Sequence, residues 1–205
     1  MRESGLGLLY PARRVNTFTL AQLRDLDALV TSVATSAAIV TYTGATLTGV
    51  LGNPGPCIMR CPQLVTVTTA ASVGTYVLAA ITVTGTDETG AALTDTLTLT
   101  QANGSETLAT TAAFFTVTSI VRPAQSNANG SFQFGVRDLV FSNANPCRQI
   151  RFGSAGDVQL GFVGGSGAPY IDTTPGTEGE QHAALIRRVY GDTTITTSGP
   201  VTVYL

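Results

Sequence analysis

The chain has 205 residues, of which 43% are hydrophobic and 12% are charged, and its formal net charge is -2. This composition excludes a chain that is kept unfolded by charge repulsion and low hydrophobicity. All 11 basic residues are arginines and they face 13 acidic residues, so no excess of positive charge is available for nucleic-acid backbones and we expect no direct nucleic-acid partner.

Threonine is the most abundant residue, and 22 glycines are spread along the chain. β-branched residues favour strands, and glycine is common in the turns between them. No run of about 18 apolar residues occurs, so we expect no membrane-spanning helix and no membrane partner. We therefore predict an all-β fold of one or two antiparallel β-sandwich or barrel modules, preceded by an N-terminal arm with one short helix.

The arm is predicted over residues 1–55, and its helix over about residues 20–30. A Thr-x-x-Gln sequence at the start of this segment fits a capping box. Leu23 and Leu26 belong to a set of leucines at helical spacing, which marks one apolar face. That face is expected to be buried against another surface.

Two arginines, Arg13 and Arg14, precede the predicted helix. The arm has too few bulky apolar side chains for a core of its own, so we expect it to pack on the rest of the chain or on a neighbouring subunit. Arg13, Arg14, Leu23 and Leu26 are therefore candidate residues for contacts with a neighbouring subunit.

Strand patterns begin near residue 56 and fall into two groups. A first β module is predicted over residues 56–122, where alternating segments are separated by turns at a spacing of roughly 8 to 12 residues. Residues 123–131 are rich in Pro, Asn, Gly and Ser and are predicted to be a linker or a long loop. A second β module is predicted over residues 132–205. Whether the two modules share one core stays open.

One segment, residues 81–100, reads ITVTGTDETGAALTDTLTLT. Asp87 and Glu88 lie in its turn, where aspartate commonly binds nearby backbone. In the second strand the leucines fall on one side and the threonines on the other, which suits a hairpin that packs in rows without charges. Asp95 is the exception on the leucine side. We expect it near a strand end or an interface, paired with an arginine or a backbone amide.

The sequence contains no recognisable catalytic or metal-binding motif. Cys57 and Cys61 lack further zinc ligands, because there is no second cysteine pair and His182 is the only histidine. Together with Cys147 they are expected to be free, mostly buried thiols. His182 has no nucleophile or base near it in sequence. We expect no enzyme activity, no metal and no cofactor; a hydrolase would require His182 and a carboxylate to meet in a cleft.

Further arginines occur as close pairs, Arg148 with Arg151 and Arg187 with Arg188. Adjacent residues of a strand point to opposite faces, so one of Arg187 and Arg188 should face inward or across an interface. Two interpretations stay open. These arginines are ordinary surface charges paired with Asp or Glu, or they lie at a subunit interface, where arginine is enriched.

Two blocks of the sequence resemble modules of tailed-bacteriophage virion proteins. The first reads ITVTGTDETGAALTDTLTLT and continues through FFTVTSI to GSFQFGVRD. The second reads NPCRQIRFGSAGDVQLGF and continues with LIRRVYGDTTITTSGPVTVYL, and it is similar to the C-terminal part of head-spike base proteins of small phages and gene-transfer agents. The blocks cover about residues 64–205. Asp95 departs from the first module, which usually has Glu at this position.

The resemblance implies a non-enzymatic virion subunit, assembled in the host cytoplasm, that decorates, cements or adapts the capsid at the head, vertex or neck. Its expected partners are copies of itself, in a trimer or ring, and the major capsid or neck proteins. A competing hypothesis is a receptor- or glycan-binding module of a fibre or baseplate, in which Tyr170 and Phe162 would stack on sugars. Tyr170 is also a candidate interface residue.

Overall fold

A computed structural model shows an all-β protein, which confirms the predicted fold class. It describes residues 15–18, 24–48, 57–70, 76–125, 130–142, 147, 149–152, 158–162, 170–172, 181–182, 186–189 and 201–204. Within these residues the backbone forms strands, one short 3₁₀ turn at Gly44–Thr46 and no α-helix. The strands are β1 Val15–Phe18, β2 Arg24–Ala34, β3 Val40–Thr43, β4 Cys57–Thr69, β5 Ala80–Thr86, β6 Ala92–Thr98, β7 Thr107–Arg122, β8 Ser131–Val140, β9 Gln149–Phe152, β10 Val158–Phe162, β11 Tyr170–Asp172, β12 Gln181–His182, β13 Ile186–Val189 and β14 Val201–Tyr204.

The strands form two antiparallel sheets. The larger sheet has the order β11-β10-β13-β8-β4-β7-β5-β6, and in addition β2 pairs with β8 and β3 pairs with β7. The smaller sheet has the order β1-β14-β9-β12. The long strands β4, β7 and β8 lie side by side in the middle of the larger sheet, and four further strands, β2, β3, β5 and β13, pair directly with one of them.

The prediction of a helix over about residues 20–30 is wrong from Arg24 onward. Residues 24–34 form strand β2, which pairs with β8, while residues 20–23 lie outside the described part of the chain. Strand β3, also in the predicted arm, pairs with β7. The described residues 24–48 therefore belong to the larger sheet and pack on the rest of the chain, which is one of the two outcomes expected for the arm.

A large bulge in β2 explains the misleading leucine spacing. Asp25 pairs with Val136 and Val30 pairs with Phe134, so five steps along β2 match only two along β8. The three extra residues break the period-two alternation of a strand. Ala28, Leu29 and Val30 are consequently buried in succession, and Leu26 is half-buried within the bulge. Apolar residues at three-residue spacing thus arise here from an irregular strand.

The buried residues form two clusters. The first core includes Leu29, Val65, Phe114 and Phe134 and draws on β2 to β8. The second core draws on the end of β8 and on β9, β10, β13 and β14, and it also contains Cys61 of β4. The strand that follows the predicted linker at residues 123–131, β8, contributes to both of these cores.

Strand β8 changes sides at Asp138. Phe132, Phe134 and Val136 are buried in the first core, whereas Leu139 and Phe141 are buried in the second. Between them, Asp138 adopts a positive φ of 53°, and the register with β4 shifts by one residue. One extra residue moves every following side chain to the opposite face of a strand. The bulge at Asp138 therefore lets one strand serve two cores.

We predict that Gly135→Ala destabilises the protein more than a typical surface change. A Cβ at Gly135 would lie 2.0 Å from the carbonyl oxygen of Asp25 and 2.3 Å from the carbonyl carbon of Leu26. These are backbone atoms of the β2 bulge, so the clash is relieved only by moving the strand. Urea unfolding should show a loss of about 2 kcal/mol or more. A loss no larger than that of Gln133→Ala, at a half-exposed neighbour, would contradict the close approach.

Candidate interaction surface

Strands β5 and β6 have one buried and one open face, as the alternation predicts. Ile81 and Val83 of β5 and Leu97 of β6 are buried in the first core. The threonines of β6 between and beside these positions are exposed, and those of β5 are half-buried. The predicted assignment of leucines and threonines to opposite faces of the second strand is confirmed.

The open face extends over four adjacent strand positions, of which β3 and β4 share the first and β7, β5 and β6 fill the others, because the register aligns similar residues across them. Thr43 pairs with Ser119, which pairs with Thr84, which pairs with Thr94. Parallel rows lie on either side of this one. We call the whole surface the threonine face; its rows are Ile58–Thr116–Thr86–Ala92, Thr43–Ser119–Thr84–Thr94, Thr41–Val121–Thr82–Thr96 and, at the end, Ala80–Thr98.

None of the residues of the threonine face is charged, and the face carries large aliphatic side chains in contact with solvent. Ile58 in its first row is 62% exposed. Ile39 directly precedes β3 and Leu78 lies two residues before β5, and they are 69% and 47% exposed. A solvated sheet face usually carries charged side chains, and clustered exposed apolar residues mark interaction sites. The threonine face has the composition of an interface.

Methyl and hydroxyl groups limit the chemistry of this surface to packing and hydrogen bonding. The hydroxyls of Thr86 and Thr116 share a hydrogen bond of 2.7 Å across adjacent strands. The Thr118 hydroxyl, at a bulge in β7, donates to the carbonyl oxygen of Thr84. No acid, base or nucleophile with an activating partner belongs to the rows of the face, and the groups that it offers are methyls and neutral hydroxyls.

Asp95 lies on the core side of β6 and binds backbone amides, which confirms that half of its predicted pairing. Its Oδ2 accepts hydrogen bonds from the amides of Thr111 and Ala112 at 2.8 and 2.9 Å and from the Thr111 hydroxyl. Its Oδ1 accepts the amide of Thr96 at 2.7 Å. The two amides of β7 point the same way because β7 carries extra residues opposite Leu64 and Thr66. Asp95 thereby ties β6 to the N-terminal half of β7.

The pKa of Asp95 is lowered by this environment. Partial burial raises it, but the hydrogen bonds from Ala112, Thr96 and Thr111 to the charged form outweigh burial. The ionised carboxylate is therefore the state that the fold stabilises.

Asp87 closes the turn between β5 and β6. Its Oδ1 accepts the amides of Thr89 and Ala91 and the Thr89 hydroxyl. The hydrogen bond from the Thr89 hydroxyl, together with these amides, lowers the pKa of Asp87. The adjacent Glu88 contacts the Ser142 hydroxyl. Asp87 thus has the predicted turn role, whereas the contact of Glu88 is with a residue distant in sequence.

Arg188, one of the predicted interface arginines, pairs with a carboxylate inside its own chain. Its Nε donates to Oδ2 of Asp138 at 3.0 Å, and its Nη2 donates to the same oxygen. Asp138 is fully buried, whereas the side chain of Arg188 is 33% exposed. Arg137 lies 3.4 Å from the other oxygen of Asp138. The ion pair holds β13 to the bulge of β8.

The structure describes only some of the remaining candidate interface residues. Arg13, Arg14, Leu23 and Arg148 lie outside the described residues. Arg151 lies in β9, Tyr170 in β11, Phe162 in β10 and Arg187 in β13. Residue pairing places Arg151 opposite Gln181 and Tyr170 opposite Leu160, so these candidates belong to strands around the second core and away from the rows of the threonine face.

The described residues include the three cysteines and the single histidine. Cys57, Cys61 and Cys147 form no disulfide and are buried, as predicted. Burial raises the pKa of Cys57 to about 11. His182 lies in β12 opposite Ile150. Within the described residues, no group of three or more His, Cys, Asp or Glu residues could hold a metal ion, and no helix there is long and apolar enough to cross a membrane.

Comparison of the chain with protein families, with curated proteins and with solved structures gives no match.

We predict that Asp95→Asn lowers the free energy of unfolding by about 1 to 3 kcal/mol at pH 7, because the amide loses the charge and one acceptor oxygen. The pKa of Asp95 in the folded state lies below its unfolded value. Its contribution is thus present above about pH 4 and disappears as the pH falls through the folded pKa. Urea unfolding of both proteins at pH 7, 5 and 3 should show a difference that shrinks toward pH 3. A constant difference would refute the role of the ionised carboxylate.

We predict that Arg188→Ala lowers the free energy of unfolding by about 3 kcal/mol, because Asp138 stays buried without its main counter-charge. Adding Asp138→Asn should restore part of this loss, since asparagine carries no charge and tolerates a positive φ. A double-mutant cycle measured by urea unfolding gives the coupling between the two residues. Additive effects of the two substitutions would show that the pair does not stabilise the fold.

Proposed function

We propose that the chain is a structural virion subunit of a tailed phage that decorates, cements or adapts the capsid at the head, vertex or neck. The observation that carries this proposal is the threonine face, a four-stranded sheet surface without charges and with exposed Ile58, Ile39 and Leu78. A protein that worked alone in solution would gain nothing from such a surface. A subunit in an assembly would bury it.

The resemblance to phage modules supports the same function from the sequence side. The block that carries it begins with β5, β6 and the turn between them, which supply two of the four strands of the threonine face. The segment reading FFTVTSI belongs to β7, which supplies a third. The residues that resemble a virion module and the residues that form the uncharged surface are therefore largely the same.

A single subunit would bind weakly through such a surface, whereas many subunits in one assembly would be held strongly. Hydroxyl and methyl contacts without ion pairs give modest affinity for a single subunit, and the effective concentration in an assembly multiplies it. The absence of charges also makes the contact insensitive to ionic strength. Both properties suit a protein that stays on a particle outside the cell.

The proposal predicts that purified virions contain this chain in many copies on the head or neck. Quantitative mass spectrometry of gradient-purified particles should detect it at a fixed ratio to the major capsid protein. Labelling with an antibody and electron microscopy should place it on the capsid or neck. Absence from the particles would sink the proposal, and labelling at the tail tip would favour the receptor-binding alternative.

A further inference from the structure

We infer that the threonine face binds the threonine face of a second copy of the chain, so that two copies form a symmetric pair. The inference rests on the proposed role of the chain as a subunit that assembles in copies. It goes further by naming the surface, the occupant and the symmetry. In a two-fold pair the same patch is used on both sides, so the patch must complement itself.

Charge complementarity favours a second copy as the occupant. A partner surface with charged side chains would lose their hydration on contact and find no opposite charge among the threonine rows. An uncharged surface of methyl and hydroxyl groups avoids this cost. The threonine face is itself such a surface, with β-branched side chains that pack well between two aligned sheets.

The order of the rows is self-complementary under one rotation. A two-fold axis that lies between the sheets and crosses the strands reverses the rows and leaves β5, β6 and β7 each over its own copy, while β3 and β4 lie over each other. The two central rows then face each other, so that Thr84 lies over Thr82 and Thr94 over Thr96. The first row lies over the fourth, which brings Ile58 near Ile39 at the rim of the second copy. Exposed aliphatic residues therefore meet each other, and threonines meet threonines.

The size of the face is compatible with a specific pair. With strands about 4.8 Å apart and same-face residues repeating every 6.7 Å or so, four strands and four rows cover roughly 500 Å² in projection. The accessible area of the protruding side chains, with Ile39 and Leu78 at the rim, is larger than this projection. Standard interfaces bury about 800 Å² on each partner, and weaker ones bury less. We therefore expect a pair of modest affinity.

The first experiment measures association of the full chain by analytical ultracentrifugation at concentrations up to about 1 mM, where even a weak pair forms. The wild-type protein should show a monomer–dimer equilibrium. Thr82→Glu places two like charges in the centre of the pair and should raise the dissociation constant by about 100-fold or more. Ser32→Glu, at an exposed position of β2 outside the face, should leave it unchanged. Equal thermal melting of the variants shows that they fold.

The second experiment tests the rotation by cross-linking. Ala92 and Thr98 are exposed and lie at opposite ends of β6, about 20 Å apart along the strand. The axis places Ala92 of one copy over Thr98 of the other. A mixture of Ala92→Cys and Thr98→Cys should therefore be joined by a bifunctional maleimide that spans about 10 Å, the spacing of packed sheets. Ala92→Cys alone should not cross-link. The native cysteines are buried and do not compete.

Three results would overturn the inference: a chain that stays monomeric, a dimer that Thr82→Glu leaves intact, or efficient cross-linking of Ala92→Cys with itself. None of them decides the proposed function. A chain that is abundant in virions yet monomeric in solution keeps its structural role and uses the threonine face for another virion protein. A chain that dimerises as described but is missing from virions loses the proposed function and keeps the symmetric pair.

Discussion

The pairing of β4 with β8 is the constraint on which both cores depend. In a regular strand the side chains alternate between two faces, so all the side chains that point to one core come from the same face of the strand. β8 avoids this limit because the bulge at Asp138 shifts its register with β4 by one residue, so Val136 faces the first core and Leu139 the second. A buried carboxylate at a positive φ is costly, and the pair with Arg188 offsets that cost.

The ionic groups inside the first module bind backbone atoms rather than each other. Asp95 caps amides of the β7 bulge, and Glu106 accepts the amides of Thr100 and Gln101 in the loop that precedes β7. Arg122, 1% exposed, donates to the carbonyl oxygens of Ala34 and Pro123 and to the Tyr42 hydroxyl, and it lies 5.3 Å from the ring of Phe132. These charged side chains hold irregular backbone segments on the core side of the sheet. The rows of the threonine face, on the other side of β6 and β7, contain no charged residue.

The alternation of buried and exposed side chains within a strand could be predicted from the sequence. The pairing register between strands that are distant in sequence could not. The hairpin of β5 and β6, the sides of its leucines and threonines, and the amide pairing of Asp95 followed from a period-two pattern within twenty residues. The helix prediction failed at β2 because three extra residues opposite β8 imitate helical spacing. The roles of Arg122 and Asp138 were missed, since their burial depends on strands far away in sequence. Ile58 joined the threonine face only through its pairing with Thr116.

A sheet that associates through a face must avoid associating through its edges. Strand β6 ends the larger sheet and pairs with β5 alone, and an unprotected edge of this kind invites further strands. Here the Thr96 amide is bound by the Asp95 carboxylate, so part of the edge ladder is already occupied. The same residue that joins β6 to β7 therefore disfavours growth along this edge, and the uncharged threonine face stays the surface that we propose for contact between copies.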